Sequence, residues 1–191
     1  MITLGITGTL GAGKGAVVEY LMGKGFSHFS VRAYLLHEVR RRGLPENRDS
    51  TTLVANDLRK THAPDFLVRE LFEQAKRAGG DAIIESIRAL GEIDYLKKNA
   101  MPFYFIAVDA DPQLRYLRIT KRGSGLDQVS FEKFLADEAR ESNNSDPWKQ
   151  DLPACIARAD FVLMNDGTFD DLHRQIDSIL LKINASTSTL I

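Results

Sequence analysis

Eight residues near the start, Gly8-Thr9-Leu10-Gly11-Ala12-Gly13-Lys14-Gly15, fit the spacing G-x-x-x-x-G-K. Glycines at this spacing let backbone N–H groups wrap around phosphate oxygens, and a lysine supplies a mobile positive charge. A helix starting there would add the positive end of its dipole. The loop reads as an ATP phosphate site built from Gly8, Thr9, Leu10, Gly11, Ala12, Gly13, Lys14, Gly15 and Ala16. In many such loops a Ser or Thr follows the lysine and touches Mg²⁺; here Gly15 and Ala16 stand there. Mg²⁺ would then be held through water and by carboxylates elsewhere. Further along lie Arg115, Arg118 and Arg122, spaced three and four apart and so on one helical stripe. Guanidinium forks suit phosphoryl transfer, which needs positioning and charge neutralisation more than covalent chemistry.

The string Gly11-Ala12-Gly13-Lys14-Gly15 resembles the adenylate kinase group of nucleoside monophosphate kinases. The resemblance implies a further set of residues. Glu85, in Glu85-Ser86-Ile87-Arg88, would organise Mg²⁺ through water, and Arg88 would hold the acceptor phosphate. Arg32 and Arg59 would lie on acceptor-binding helices, in an insert spanning about 30–62, with Arg140 a further acceptor candidate. Arg118 and Arg122, with Lys14 and Arg88, would be catalytic and would lead into a lid at about 121–151. Asn165 and Gly167, in Asn165-Asp166-Gly167, are similar to the adenine-contacting turn of these kinases and of dephospho-coenzyme A kinase. Asp109, at another expected strand end, is a second metal candidate. The chain is also similar to a kinase-type domain found fused to deoxycytidylate deaminases, but a single cysteine cannot build the deaminase zinc site.

The elements that must position these residues are legible as alternating apolar runs and helical patterns. Strands are expected at Ile2–Thr7, Phe26–Phe29, Asp81–Glu85, Phe103–Val108 and Phe161–Met164. Helices are expected at Gly13–Gly23, Ser30–Arg42, Ser50–Thr61, Pro64–Ala78, Gly91–Asn99, from Pro112, at Ser130–Glu141, and from Thr168 to about Ile183. Asp111 reads as an N-cap, and Thr168-Phe169-Asp170-Asp171 as a capping box. Short apolar strands separated by helices imply a parallel sheet covered on both faces, with ligands beyond the strand C-terminal ends. The fold class is α/β. The resemblance implies a P-loop three-layer sandwich, strand order 2-3-1-4-5, in one nucleotide kinase-like domain.

Composition bounds the rest. The chain has 191 residues and a net charge of −1, without the basic excess of a dedicated nucleic-acid binder. One cysteine, Cys155, excludes an internal disulfide. No apolar run approaches the roughly 20 residues that span a membrane, and MITLGITG lacks the features of a secretion signal. A cytoplasmic protein with small-molecule nucleotide partners, monomeric or homodimeric, is the expectation. His28, His37, His62 and His173 show no ligand spacing, and Arg40-Arg41-Arg42 reads as a solvated helix end.

Three functions fit: transfer of the γ-phosphoryl group of ATP to a (deoxy)nucleoside monophosphate, a dephospho-coenzyme A kinase, or a non-catalytic nucleotide sensor. The first is favoured because Ser30-Val31-Arg32 offers no carboxylate to deprotonate a hydroxyl. A monophosphate acceptor is already anionic and needs only cations.

Overall fold

A computed structural model describes residues 1–121, 130–140, 146 and 148–188. The elements run β1 (Thr3–Gly8), α1 (Lys14–Gly23), β2 (Ser27–Ser30), α2 (Val31–Arg41), α3 (Arg48–Thr61), α4 (Phe66–Ala78) and β3 (Ala82–Glu85). They continue as α5 (Leu90–Asn99), β4 (Phe103–Asp109), α6 (Pro112–Lys121), α7 (Phe131–Arg140), α8 (Leu152–Ala157), β5 (Phe161–Met164) and α9 (Phe169–Ser188).

The five strands form one all-parallel sheet in the order β2-β3-β1-β4-β5. β1 is buried along its whole length, as a central strand covered on both faces must be. Alternate side chains feed two cores. Leu4, Ile6, Ile83, Ile106, Val108 and Leu163 pack beneath α1 and α9. Ile84, Phe105 and the buried faces of α2 to α5 form the other. The expected fold class and strand order are therefore what the structure has.

Boundaries move by a residue or two where caps decide them. Ser30 belongs to β2 and also caps α2, its Oγ accepting from the Ala33 N–H at 3.2 Å. α3 starts earlier than expected, at Arg48, because Asn47 caps it by accepting from the Ser50 N–H at 2.8 Å. Asp111 caps α6, accepting from Gln113 and Leu114. Thr168 and Asp171 exchange hydrogen bonds in both directions at the start of α9. α8 was not anticipated: it has six residues and carries Pro153, and it buries Cys155 completely. The triple arginine is an exposed helix end, as expected, and its charges are also paired. Arg41 and Arg42 both grip Glu38 at 2.7 Å, and Arg42 reaches Asp57 at 2.6 Å, tying α2 to α3. These bonds, Arg41's first, hold the Glu38 carboxyl at about 2.

Candidate active site

The phosphate loop leaves β1 at Gly8 and enters α1 at Lys14. Its shape demands glycine. Gly8 (φ 148°) lies so close to the Val108 carbonyl that a Cβ would collide with it, and a Cβ on Gly11 (φ 80°) would press on the Arg115 backbone. β4 and α6 thus mould the loop from behind. From the residue just after β5, Asn165 Nδ2 donates to the Ala12 carbonyl at 2.8 Å. Thr9 Oγ1 donates to Asp109 Oδ1 at 2.6 Å. The Lys14 ammonium donates to the Gly8 and Thr9 carbonyls at 2.9 Å each, which places its charge over the loop.

Glu85 ends β3 and sits opposite Ser30 in the β2–β3 register. Its carboxylate accepts from Ser86 Oγ at 2.8 Å and Ser30 Oγ at 3.2 Å, with His28 Nε2 at 3.5 Å. Burial pushes its pKa up; the His28 and Ser86 bonds and the Lys14 charge outweigh that and hold it at about 2. Ser86 adopts a left-handed conformation (φ 74°), the only positive φ at a non-glycine among the described residues. Strain of this kind clusters at ligand sites. His28, expected to be structural or exposed, is drawn to Glu85 by strand register, which no spacing within one strand could show.

Arg88 follows Glu85 at the same edge, half-buried, with Nη1 3.4 Å from Gln150 Oε1. Arg32, in the first turn of α2, is exposed. Other placements add to the sequence reading. Arg59 is 2% exposed and donates twice to Glu92, so it is a core ion pair and not an open acceptor contact. Arg118 donates to the Asn165 carbonyl at 2.8 Å, which places it beside β5, at the opposite edge of the sheet from β2 and away from Arg32 and Arg88. Asn165 itself is buried and braces the loop; Gly167 is exposed. Asp109 is engaged by Thr9 and the Ala110 N–H, with Arg115 Nε at 3.7 Å. Among the described residues no three His, Cys, Asp or Glu side chains gather to hold a metal. Arg122, and the lid residues 122–129, 141–145 and 147, lie outside the described residues, as does the Arg140 side chain.

Arg115 was seen in sequence only as part of a stripe. It is buried, donates to the Ala110 and Leu10 carbonyls, pairs with Glu138 of α7, and covers Phe134. It joins the phosphate loop to α6 and α7.

The profile of the AAA domain family matches residues 4–146. A UPF0200 protein of Methanocaldococcus jannaschii is 31% identical over 186 residues, covering 96% of this chain and 91% of the relative. A UPF0200 protein of Pyrobaculum aerophilum is 28% identical over 181 residues, covering 94% and 97%. Among solved structures, TT1252 from Thermus thermophilus superposes with a TM-score of 0.64 at 24% identity, covering 95% of this chain and 97% of that one. Dephospho-CoA kinase from Campylobacter jejuni gives 0.56 at 14%, covering 98% and 100%. Shikimate kinase from Bacteroides thetaiotaomicron gives 0.60 at 9%, covering 96% and 98%. At these identities the structural likenesses establish the P-loop kinase-like fold.

Proposed function

Because the chain belongs to the AAA domain family and has a P-loop kinase-like fold, we propose that it transfers the γ-phosphoryl group of ATP to a (deoxy)nucleoside monophosphate. The observation that carries the reading is the charge layout of one sheet edge. The phosphate loop and Lys14 leave β1; Arg88 follows β3 and Arg32 follows β2, so two guanidinium groups serve the acceptor side of a phosphate donor site. In the transfer, an anionic oxygen of the acceptor phosphate bonds to the γ-phosphorus. The bond from that phosphorus to the β–γ bridging oxygen breaks, and ADP leaves. No proton must be removed first, and Glu85, held ionised with a pKa of about 2, is a weak base.

The residues suit Mg²⁺ that keeps most of its water shell. Glu85 is an ionised carboxylate at the loop, and no hydroxyl follows Lys14. The chemistry that Mg²⁺ would supply, bound with the nucleotide, is to offset the charge of the donor phosphates. Lys14 and the loop amides then bind the donor phosphates, and Arg88 and Arg32 orient the acceptor. We read the chain as one kinase-like domain, its acceptor insert at about 30–62 and its lid at about 121–151.

The test is ATP turnover against a panel of acceptors. Transfer to monophosphates, with free nucleosides very poor, supports the proposal. Transfer to dephospho-coenzyme A alone overturns it, as does tight ATP binding with no transfer to any acceptor.

A further inference from the structure

Arg59 of α3 and Glu92 of α5 have side chains 1% and 0% exposed. Arg59 Nε and Nη2 donate to Glu92 Oε1 at 3.0 and 2.8 Å. The second carboxylate oxygen, Oε2, accepts from the backbone N–H groups of Arg88 and Ala89 at 2.9 and 3.1 Å. One carboxylate is therefore shared between a helix of the acceptor-side insert and the turn that carries Arg88. The same turn is held from its other side, where the Arg88 carbonyl accepts from the Asp151 N–H at 2.9 Å.

We propose that Arg59 and Glu92 are positioning residues that set where Arg88 points, tying acceptor binding to the seating of α3 on the sheet. This rests on the acceptor role given to Arg88 above. Filling the core does not require a buried ion pair, since apolar side chains of similar size do so at no desolvation cost. What the pair adds is direction. The Arg59 fork admits one orientation of Glu92, and Glu92 in turn fixes two amides at the start of α5. Arg59 Nη1 is buried without a hydrogen-bond partner among the described residues, where Glu92 is the group that holds the guanidinium. A shift of α3 would reach the Arg88 amide directly through this carboxylate, beside the apolar packing that α3 shares with Ile87.

The experiment compares the full chain with Arg59→Met/Glu92→Gln, which leaves no unpaired buried charge, and with Arg59→Lys, which keeps the charge but loses the fork. Circular dichroism and thermal melting establish that each is folded. Amide hydrogen exchange is read at Arg88 and Ala89, and monophosphate and ATP are titrated separately. The expected result is at least tenfold faster exchange at those two amides relative to the β1 amides. Monophosphate affinity should fall about ten- to a hundredfold while ATP affinity stays within about twofold. Arg59→Lys should lie between the double variant and the parent. If the double variant melts lower but exchange at Arg88 and Ala89 and monophosphate affinity match the parent, the pair is a core strut and the proposal falls. If the parent itself binds no monophosphate, the acceptor reading fails, and the exchange measurement still decides whether the pair positions the turn.

Discussion

Lys14 donates to two carbonyls of its own loop and does not belong to either hydrophobic core, so Lys14→Ala should fold normally and lose ATP affinity and transfer. Circular dichroism, calorimetric ATP titration and a turnover assay check these; a folded variant with parental ATP affinity would remove the lysine from the phosphate site. Arg88 tests the other side of the reaction. Each charge-assisted bond to a phosphate contributes roughly 1.5–3 kcal/mol. Arg88→Ala should therefore weaken acceptor use by about ten- to several-hundredfold and leave ATP titration nearly unchanged. Glu85 makes a pH prediction. Its pKa is depressed from 4.5 to about 2, so the stability it contributes is present above pH 4.5 and is lost as the pH falls from there toward 2. Acid unfolding of the parent should steepen across that window by up to about 3 kcal/mol more than in Glu85→Gln. Identical acid limbs would mean that the His28, Ser86 and Lys14 contacts do not hold the carboxylate. The sequence pointed to Lys14 through the glycine spacing of its own loop, and to Glu85 and Arg88, three residues apart, through the resemblance that their short motif carries. It hid His28 and misplaced Arg59, whose partners are set by strand register and by a helix contact 33 residues away.

At the scale of elements, the strand order came from the resemblance, whereas the strands and nearly every helix were legible, because buried parallel strands are apolar runs and caps mark the helix starts. α8 was not, since six residues with a proline carry no helical period. α1 offers a direct test of what its first turn needs. A Cβ on Gly15 meets nothing within 4 Å, and its backbone is ordinary helix. Alanine there removes the entropy cost of helical glycine, roughly 0.5–1 kcal/mol. Gly15→Ala should raise the melting temperature by about 1–4 °C and leave ATP affinity unchanged. A stabler protein with weakened ATP binding would show that bound nucleotide needs the bare backbone. Gly8 is the contrast, because the Val108 carbonyl blocks any side chain.

Across the whole molecule, the phosphate loop is a local motif with distant supports. Val108 and Arg115 pack behind it, and Asn165 bonds to Ala12 across 153 residues of chain. Asn165→Ala leaves the Ala12 carbonyl buried and unpaired, which costs about 1–3 kcal/mol. ATP affinity should fall roughly tenfold in a protein whose sheet is intact, read by titration beside circular dichroism. Unchanged affinity would mean that the loop holds its shape without β5. The order of these supports also bears on how the chain is made. Residues 8–15 leave the ribosome first, while their last brace is translated some 150 residues later, about 8–30 s at cellular rates. A nascent chain that has not yet reached Asn165 would therefore hold its phosphate loop with the Val108 and Arg115 supports alone, and would meet ATP with the weaker grip expected of Asn165→Ala.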